Sequence, residues 1–211
     1  HVAGLPGQGG DPGPYTARGV FLGVKAAVRH ALGTDDLNGV HVAIQGVGSV
    51  GAGLARYLAA GGAKLTLADV DAQRAAALAH ELGGQSVAAD TIMTLEADVF
   101  SPCALGAVLT ESSVAALKVR AVAGGANNQL ATGAEGRMLA DRGILYAPDY
   151  VINAGGIINV LRQIENADDA EINRRVDAIA GRLAAIWNES DSTGKTPAEV
   201  ADNMAQKLIG R

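Results

Sequence analysis

Apolar positions change their period along the chain at regular intervals, and the changes outline its elements. Over residues 15–32, Val20, Phe21, Val24, Val28, Ala31 and Leu32 recur at helical spacing, and Gly33 supplies a left-handed cap. After the polar loop "DDLNG", residues 40–45 ("VHVAIQ") are short and β-branched, as a buried parallel strand is. That strand runs into "GVGSVG" (46–51), and small residues continue as a helix over 49–61. Residues 63–69 ("AKLTLAD") read as a second strand, and 72–82 as a helix ending at Gly83 and Gly84. The alternation goes on through a strand and exit at 97–104, a short helix at 111–117 and a strand and exit at 119–127. A helix at 133–142 and a strand at 144–149 follow, and there the strands stop. Residues from 157 onward are helical, and the long helix 169–188 carries Ile172, Val176, Ile179, Leu183 and Trp187 on one face. "TPAE" (196–199) has the form of a capping box with proline at the first helical position, opening a last helix to about residue 209.

Strand–turn–helix repetition of this kind predicts an α/β fold with crossover helices on a parallel sheet. The glycine run gives that prediction a chemistry. Gly46, Gly48 and Gly51, with Val47, Ser49 and Val50 between them, stand where the first strand ends and a helix begins. Gly46 makes the tight turn, Gly48 has no Cβ to keep a pyrophosphate away, and Gly51 lets the helix pack closely. Backbone N–H groups and the positive helix end then face the anion. An acid should close the second strand about twenty positions on, and Asp69 stands 23 residues after Gly46, followed by Val70. Its carboxylate accepts from ribose hydroxyls and repels a 2′-phosphate, which favours NAD over NADP. Lys64 and Arg74 soften that preference only from a distance, since neither neighbours Asp69. The competing reading is a packed β–α turn without ligand, with Asp69 a solvated strand-end acid. The expected architecture is thus a doubly wound, Rossmann-type, mostly parallel sheet with helices on both faces and C-terminal helices. Residues 1–14 read as a hinge or linker remnant, 15–168 as the dinucleotide-binding domain and 169–211 as helices packing back on it.

Composition narrows the partners. The chain has 211 residues, 48% of them hydrophobic, yet no apolar run approaches the ~18–20 residues of a membrane span. A formal net charge of −5 without a Lys/Arg cluster argues against nucleic acid. One cysteine, Cys103, precludes an internal disulfide and makes a cytoplasmic setting the default. His1, His30, His41 and His80 lie far apart without ligand spacing, so no metal is expected.

Several stretches together resemble one family. "GDPGPYTARGV" (10–20), "GVGSVG", "PCALGA" (102–107), "AGGANNQL" (123–130) and "APDYVINAGGIINV" (147–160) are similar to the cofactor half of the glutamate/leucine/phenylalanine/valine dehydrogenases, above all the leucine and valine branch. The resemblance implies that Thr16 contacts the nicotinamide carboxamide and that the backbone of Cys103 and Ala104 lies along the cofactor. It implies that Asn127 and Asn128 lie beside nicotinamide and substrate, and that Asn153 opens the helix separating the two. Bland alternatives stand beside these roles: Thr16 as a helix cap, the asparagine pair as turn chemistry, Cys103 as a small buried thiol rather than a nucleophile. Asn153, Gly156, Ile157 and Val160 fall at i, i+3, i+4 and i+7. By the resemblance Ile157 and Val160 wall the substrate side chain, and valine at 160, where glutamate-specific members have a hydroxyl residue, disfavours a buried carboxylate. Both are otherwise plain core residues.

The family's chemistry is NAD-dependent oxidative deamination of an L-amino acid to a 2-oxo acid and ammonia. It needs a lysine of lowered pKa and a proton-shuttling acid, which the family draws from a preceding substrate domain. Lys25, Lys64, Lys118, Lys195 and Lys207 include none in a glycine-rich setting, and "TGKT" (193–196) lacks the earlier glycine and the strand of a phosphate loop. No residue here is therefore assigned as catalytic. The first residue is His1, and residues 4–14 hold five glycines and three prolines, the composition of a hinge. The expectation is a coenzyme-binding half that binds without turning over, from a homo-oligomeric parent acting on an aliphatic amino acid such as leucine or valine. A stand-alone NAD-sensing module and a non-binding scaffold are the alternatives.

Overall fold

The computed structural model describes residues 11–165 and 167–210. The first ten residues of the stretch read as a hinge lie outside that range. Among the described residues six parallel strands form one sheet: β1 (His41–Gln45), β2 (Lys64–Ala68), β3 (Gln85–Ser86), β4 (Val99–Pro102), β5 (Ala121–Val122) and β6 (Leu145–Tyr146). Their order is β3-β2-β1-β4-β5-β6. The chain winds outward from β1 in one direction, then returns to β4 on β1's other side. That reversal leaves a crevice at the C-terminal ends of β1 and β4, where open parallel sheets take their ligands.

Alternating side chains bury both faces. Val42, Ile44, Leu65, Leu67, Val99, Ala121 and Ala123 join one apolar cluster with the helices α1 (Gly13–Leu32), α2 (Ser49–Ala60), α3 (Ala72–Leu82) and α8 (Asp169–Thr193). Ala43, Ala68, Phe100, Val122 and Tyr146 point the other way, toward the 3-10 turn Ile92–Thr94, α4 (Glu111–Ala116) and α5 (Ala134–Asp141). This two-sided burial is why Val42, Ala43 and Ile44 of β1 form an unbroken apolar run rather than an alternating one. Two short helices, α6 (Asp149–Ile152) and α7 (Gly155–Glu165), carry the chain from β6 to α8, and α9 (Pro197–Leu208) ends it. Among the described residues no helix is long and apolar enough to cross a membrane.

Several boundaries differ from the sequence pattern for physical reasons. Helix α1 begins at Gly13, inside the stretch read as a hinge, with Pro12 as its N-cap. Helix α8 runs on to Thr193 rather than stopping at residue 188. The hydroxyls of Ser192 and Thr193 donate back to the Glu189 carbonyl, so the polar "ESDST" run stays helical until Gly194 turns left-handed at φ 71°. Strand β3 is absent from the sequence pattern because its two residues are polar and exposed at the sheet edge. The capping box is present: Thr196 accepts from the Glu199 N–H while the Glu199 carboxylate accepts from the Thr196 N–H.

Helix α8 is tied to the sheet by Trp187, fully buried, whose indole N–H donates to the Tyr146 carbonyl at 2.8 Å. Helices α1 and α7 meet backbone to backbone. A Cβ at Gly155 would lie 2.1 Å from the Tyr15 carbonyl oxygen, whereas one at Gly181, within α8, would meet nothing within 4 Å. Gly155→Ala should therefore destabilise the fold by about 1–3 kcal/mol through overpacking. Gly181→Ala should stabilise it by about 0.5–1 kcal/mol through helix propensity. Urea unfolding midpoints of the two variants check both signs.

Candidate functional site

The crevice at the sheet reversal is a cleft of about 470 Å³ lined by residues of the β1, β2 and β4 exits, among them Gly46, Gly48, Asp69, Val70, Cys103 and Ala104. A larger cleft of about 760 Å³ opens at the opposite end of the strands, around His41, Asp98, Lys118, Arg120 and Arg142. Its arginines are already engaged: Arg142 donates to the Val114 and Leu117 carbonyls and Arg120 to that of Ala31. The smaller cleft has the open peptide groups and the reversal, so the site is placed there.

The glycine turn is built around two close approaches. Gly46 takes φ 92°, its N–H bonded to the Ala68 carbonyl at 2.7 Å, and a Cβ there would lie 2.9 Å from the Ala104 nitrogen. A Cβ at Gly51 would lie 1.9 Å from the Gly46 carbonyl oxygen. Gly48 is the contrast: it is exposed, and a Cβ there would meet nothing within 4 Å. It is the N-cap of α2, and among the described residues no side chain caps that helix. The first N–H groups of α2 are thus left to solvent or to an anion.

Asp69 is buried and bound from three sides. Its Oδ2 accepts from the Val47 N–H at 2.7 Å, and its Oδ1 from the Asp71 N–H at 2.9 Å and from Arg74 Nη2 at 2.7 Å. The ion pair with Arg74 corrects the expectation that this arginine stands apart from the acid. Five residues on, Arg74 lies in the first turn of α3, which folds back over the strand end. Burial alone would raise the Asp69 pKa, but the Val47 and Asp71 N–H groups and the Arg74 guanidinium outweigh it and hold the carboxyl below the usual range. The solvated-acid alternative does not describe it.

The remaining residues gather along the other half of the rim. Thr16 lies inside α1, its hydroxyl donating to the Pro12 carbonyl at 3.0 Å, so it does not cap the helix. A Cβ at Gly156 would come within 2.7 Å of that hydroxyl oxygen. Asn153 Nδ2 donates to Asn127 Oδ1 at 2.7 Å, linking the loop after β5 to the segment before α7. Asn153 is the C-cap of α6 and does not open the following helix, which starts at Gly155. Asn128 is left-handed at φ 50°, and its carbonyl accepts from the N–H of Ala107, itself at φ 54°. The turn reading therefore holds for Asn128, whose side chain is nevertheless exposed on the rim. Two non-glycine residues held left-handed in facing loops mark a strained and over-determined site.

Cys103 is partly buried; burial pushes its thiol pKa up, and its sulfur accepts from the Gly125 N–H at 3.5 Å. It is a packing thiol, not a nucleophile. Ile157 is 59% exposed and Val160 half-buried, so Ile157 is no core residue. Sequence reasoning missed Arg74 as a partner of Asp69, the apolar walls Ala89, Leu105 and Val108, and Gln129. Gln129 is fully buried, and its amide donates to the Gly124 and Ala126 carbonyls, fixing the loop that carries Asn127. Only the "GGANNQL" run itself signalled it.

Comparison with known proteins identifies the family. The family model described as Glutamate/Leucine/Phenylalanine/Valine dehydrogenase matches residues 66–207. The chain belongs to that family. Over 203 residues, 96% of the chain, it is 41% identical to a leucine dehydrogenase from Thermoactinomyces intermedius, covering 56% of that protein. The crystal structure of an L-tryptophan dehydrogenase from Nostoc punctiforme superposes with a TM-score of 0.92 at 40% identity, over 95% of this chain and 62% of that one. A phenylalanine dehydrogenase from Bacillus thermotolerans is 38% identical over 216 aligned positions, covering 99% of this chain and 56% of that protein. The chain thus spans little more than half the length of the relatives it matches.

Because the Asp69 carboxyl is lowered in the folded state, its stabilisation is present above the unfolded value of about 3.9 and lost as pH falls through the lower folded value. Asp69→Asn should cost stability at pH 7, and the gap to wild type should narrow below about pH 4. Urea midpoints at pH 7 and pH 3 check this; an equal gap at both would contradict it.

Proposed function

We propose that this chain is the NAD-binding part of an amino acid dehydrogenase that deaminates an aliphatic L-amino acid, such as leucine or valine, to its 2-oxo acid. The observation that carries the proposal is the junction of an uncapped helix α2 at Gly48 with the buried, ionised Asp69 one strand away. Bare amides suited to phosphate and a carboxylate suited to ribose hydroxyls lie at the ends of neighbouring strands, which supports a dinucleotide as the ligand.

The residues present fit that coenzyme. The N–H groups of Ser49, Val50 and Gly51, presented by the turn that Gly46, Val47 and Gly48 build, would receive the pyrophosphate, Asp69 and Val70 the adenosine ribose, and Cys103 and Ala104 the middle of the molecule. Thr16, Asn127, Asn128 and Asn153 would flank the nicotinamide, which supplies the hydride acceptor when bound. The Asn153–Asn127 hydrogen bond fixes two amides in one orientation, leaving their outward groups for carboxamide and substrate. Asn128, Ile157 and Val160 would face the substrate, an apolar wall being suited to an uncharged side chain. None of the residues assigned here to nicotinamide or substrate is a lysine, and in this reading the general base comes from another part of the parent protein. In that reading the parent is a cytoplasmic homo-oligomer, residues 15–168 form the dinucleotide-binding domain and 169–211 brace it.

Titration of the chain with NADH, followed by nicotinamide fluorescence, tests the proposal. Saturable binding should appear and weaken at least about tenfold in Asp69→Ala, the scale of a lost charge-assisted hydrogen bond. Absence of saturable binding, with Asp69→Ala no different from wild type, would leave the scaffold reading in its place; saturable binding with equal affinity in the variant would remove Asp69 from the site.

A further inference from the structure

The Asp69 carboxylate has about four acceptor positions on its two oxygens. Three are filled: one on Oδ2 by the Val47 N–H, and two on Oδ1 by the Asp71 N–H and Arg74 Nη2. A carboxylate that grips both hydroxyls of a ribose needs two open positions, and one remains. The backbone donors cannot yield without unmaking the glycine turn or the start of α3. Arg74 can: its side chain is 52% exposed against 5% for Asp69.

A guanidinium carries five N–H donors in a planar fork. With Nη2 held by Asp69, other N–H groups of Arg74 remain for an acceptor in the cleft. Among the described residues lining the cleft, Arg74 is the one with a full positive charge. A ribose bearing a 2′-phosphate would therefore find a cation for the phosphate and a remaining acceptor position on Oδ2 for a hydroxyl, with Arg74 left in place. An unphosphorylated ribose gains its second hydrogen bond only by displacing Arg74.

We propose that Arg74 is a specificity-determining residue that competes with the ribose for Asp69, so that the chain binds NADPH as well as NADH. The inference rests on the dinucleotide reading of the cleft. Asp69 alone would exclude the 2′-phosphate; the pair does not, because the exposed guanidinium offers the phosphate a counter-charge beside the buried carboxylate.

The test is a set of fluorescence titrations with NADH and with NADPH on the wild-type chain and on Arg74→Ala and Arg74→Gln, with circular dichroism to verify folding. Wild type should bind the two coenzymes within about tenfold of each other. Both variants should weaken NADPH at least about tenfold while leaving NADH unchanged or tighter, as expected for loss of one charge-assisted contact. Added salt should weaken NADPH binding to wild type more steeply than to the variants. Wild-type binding of NADH with no saturable NADPH binding, or an NADH/NADPH ratio unmoved in both variants, overturns the role of Arg74 and leaves the dinucleotide site standing. Failure of wild type to bind either coenzyme overturns both.

Discussion

The rim of this protein depends on one atom that is missing. Position 51 has no Cβ, and the Gly46 carbonyl oxygen occupies the place a Cβ would take, 1.9 Å from it. That contact lets α2 start directly above the end of β1, so that its free N–H groups face the crevice between β1 and β4. It also presses the turn against the neighbouring strand ends: Gly46 hydrogen-bonds to Ala68 in β2, and the Cys103 N–H bonds to Gln45 in β1. Any side chain at 51 would lift the helix and open all three strand ends together.

A second constraint shapes the other half of the rim. The loops after β4 and β5, residues 103–110 and 123–133, each hold a left-handed non-glycine residue, Ala107 in one and Asn128 in the other. The two are joined by the Ala107 N–H to Asn128 carbonyl bond at 2.6 Å. Such conformations cost of order 1–3 kcal/mol each and persist where surrounding contacts leave no alternative. Buried Gln129 and the Asn127–Asn153 pair provide those contacts.

Much of the architecture was legible in the sequence because it depends on periodicity and glycine punctuation. The strands 40–45 and 63–69 and the helix 72–82 follow from side-chain pattern alone and agree with the observed elements to within a residue or so. Strand β3 was not legible, since a two-residue polar edge strand has no pattern to read. The candidate site divides the same way. Gly46, Gly51 and Asp69 announce themselves by spacing, because their roles are set by local backbone. Arg74 and Gln129 bond within five positions of their partners, but only once the turns after β2 and β5 have formed. The start of α1 is packed by distant Gly155, and no local rule encodes which side chain a buried acid will meet.

Helix α7 turns its buried face, Gly155, Ile158 and Asn159, toward the rest of the molecule and leaves Ile157 outward. A residue in that position can be exchanged for a larger or smaller one without emptying space in the interior. Sequences sharing this frame are thereby free to diverge there while every contact beneath is kept.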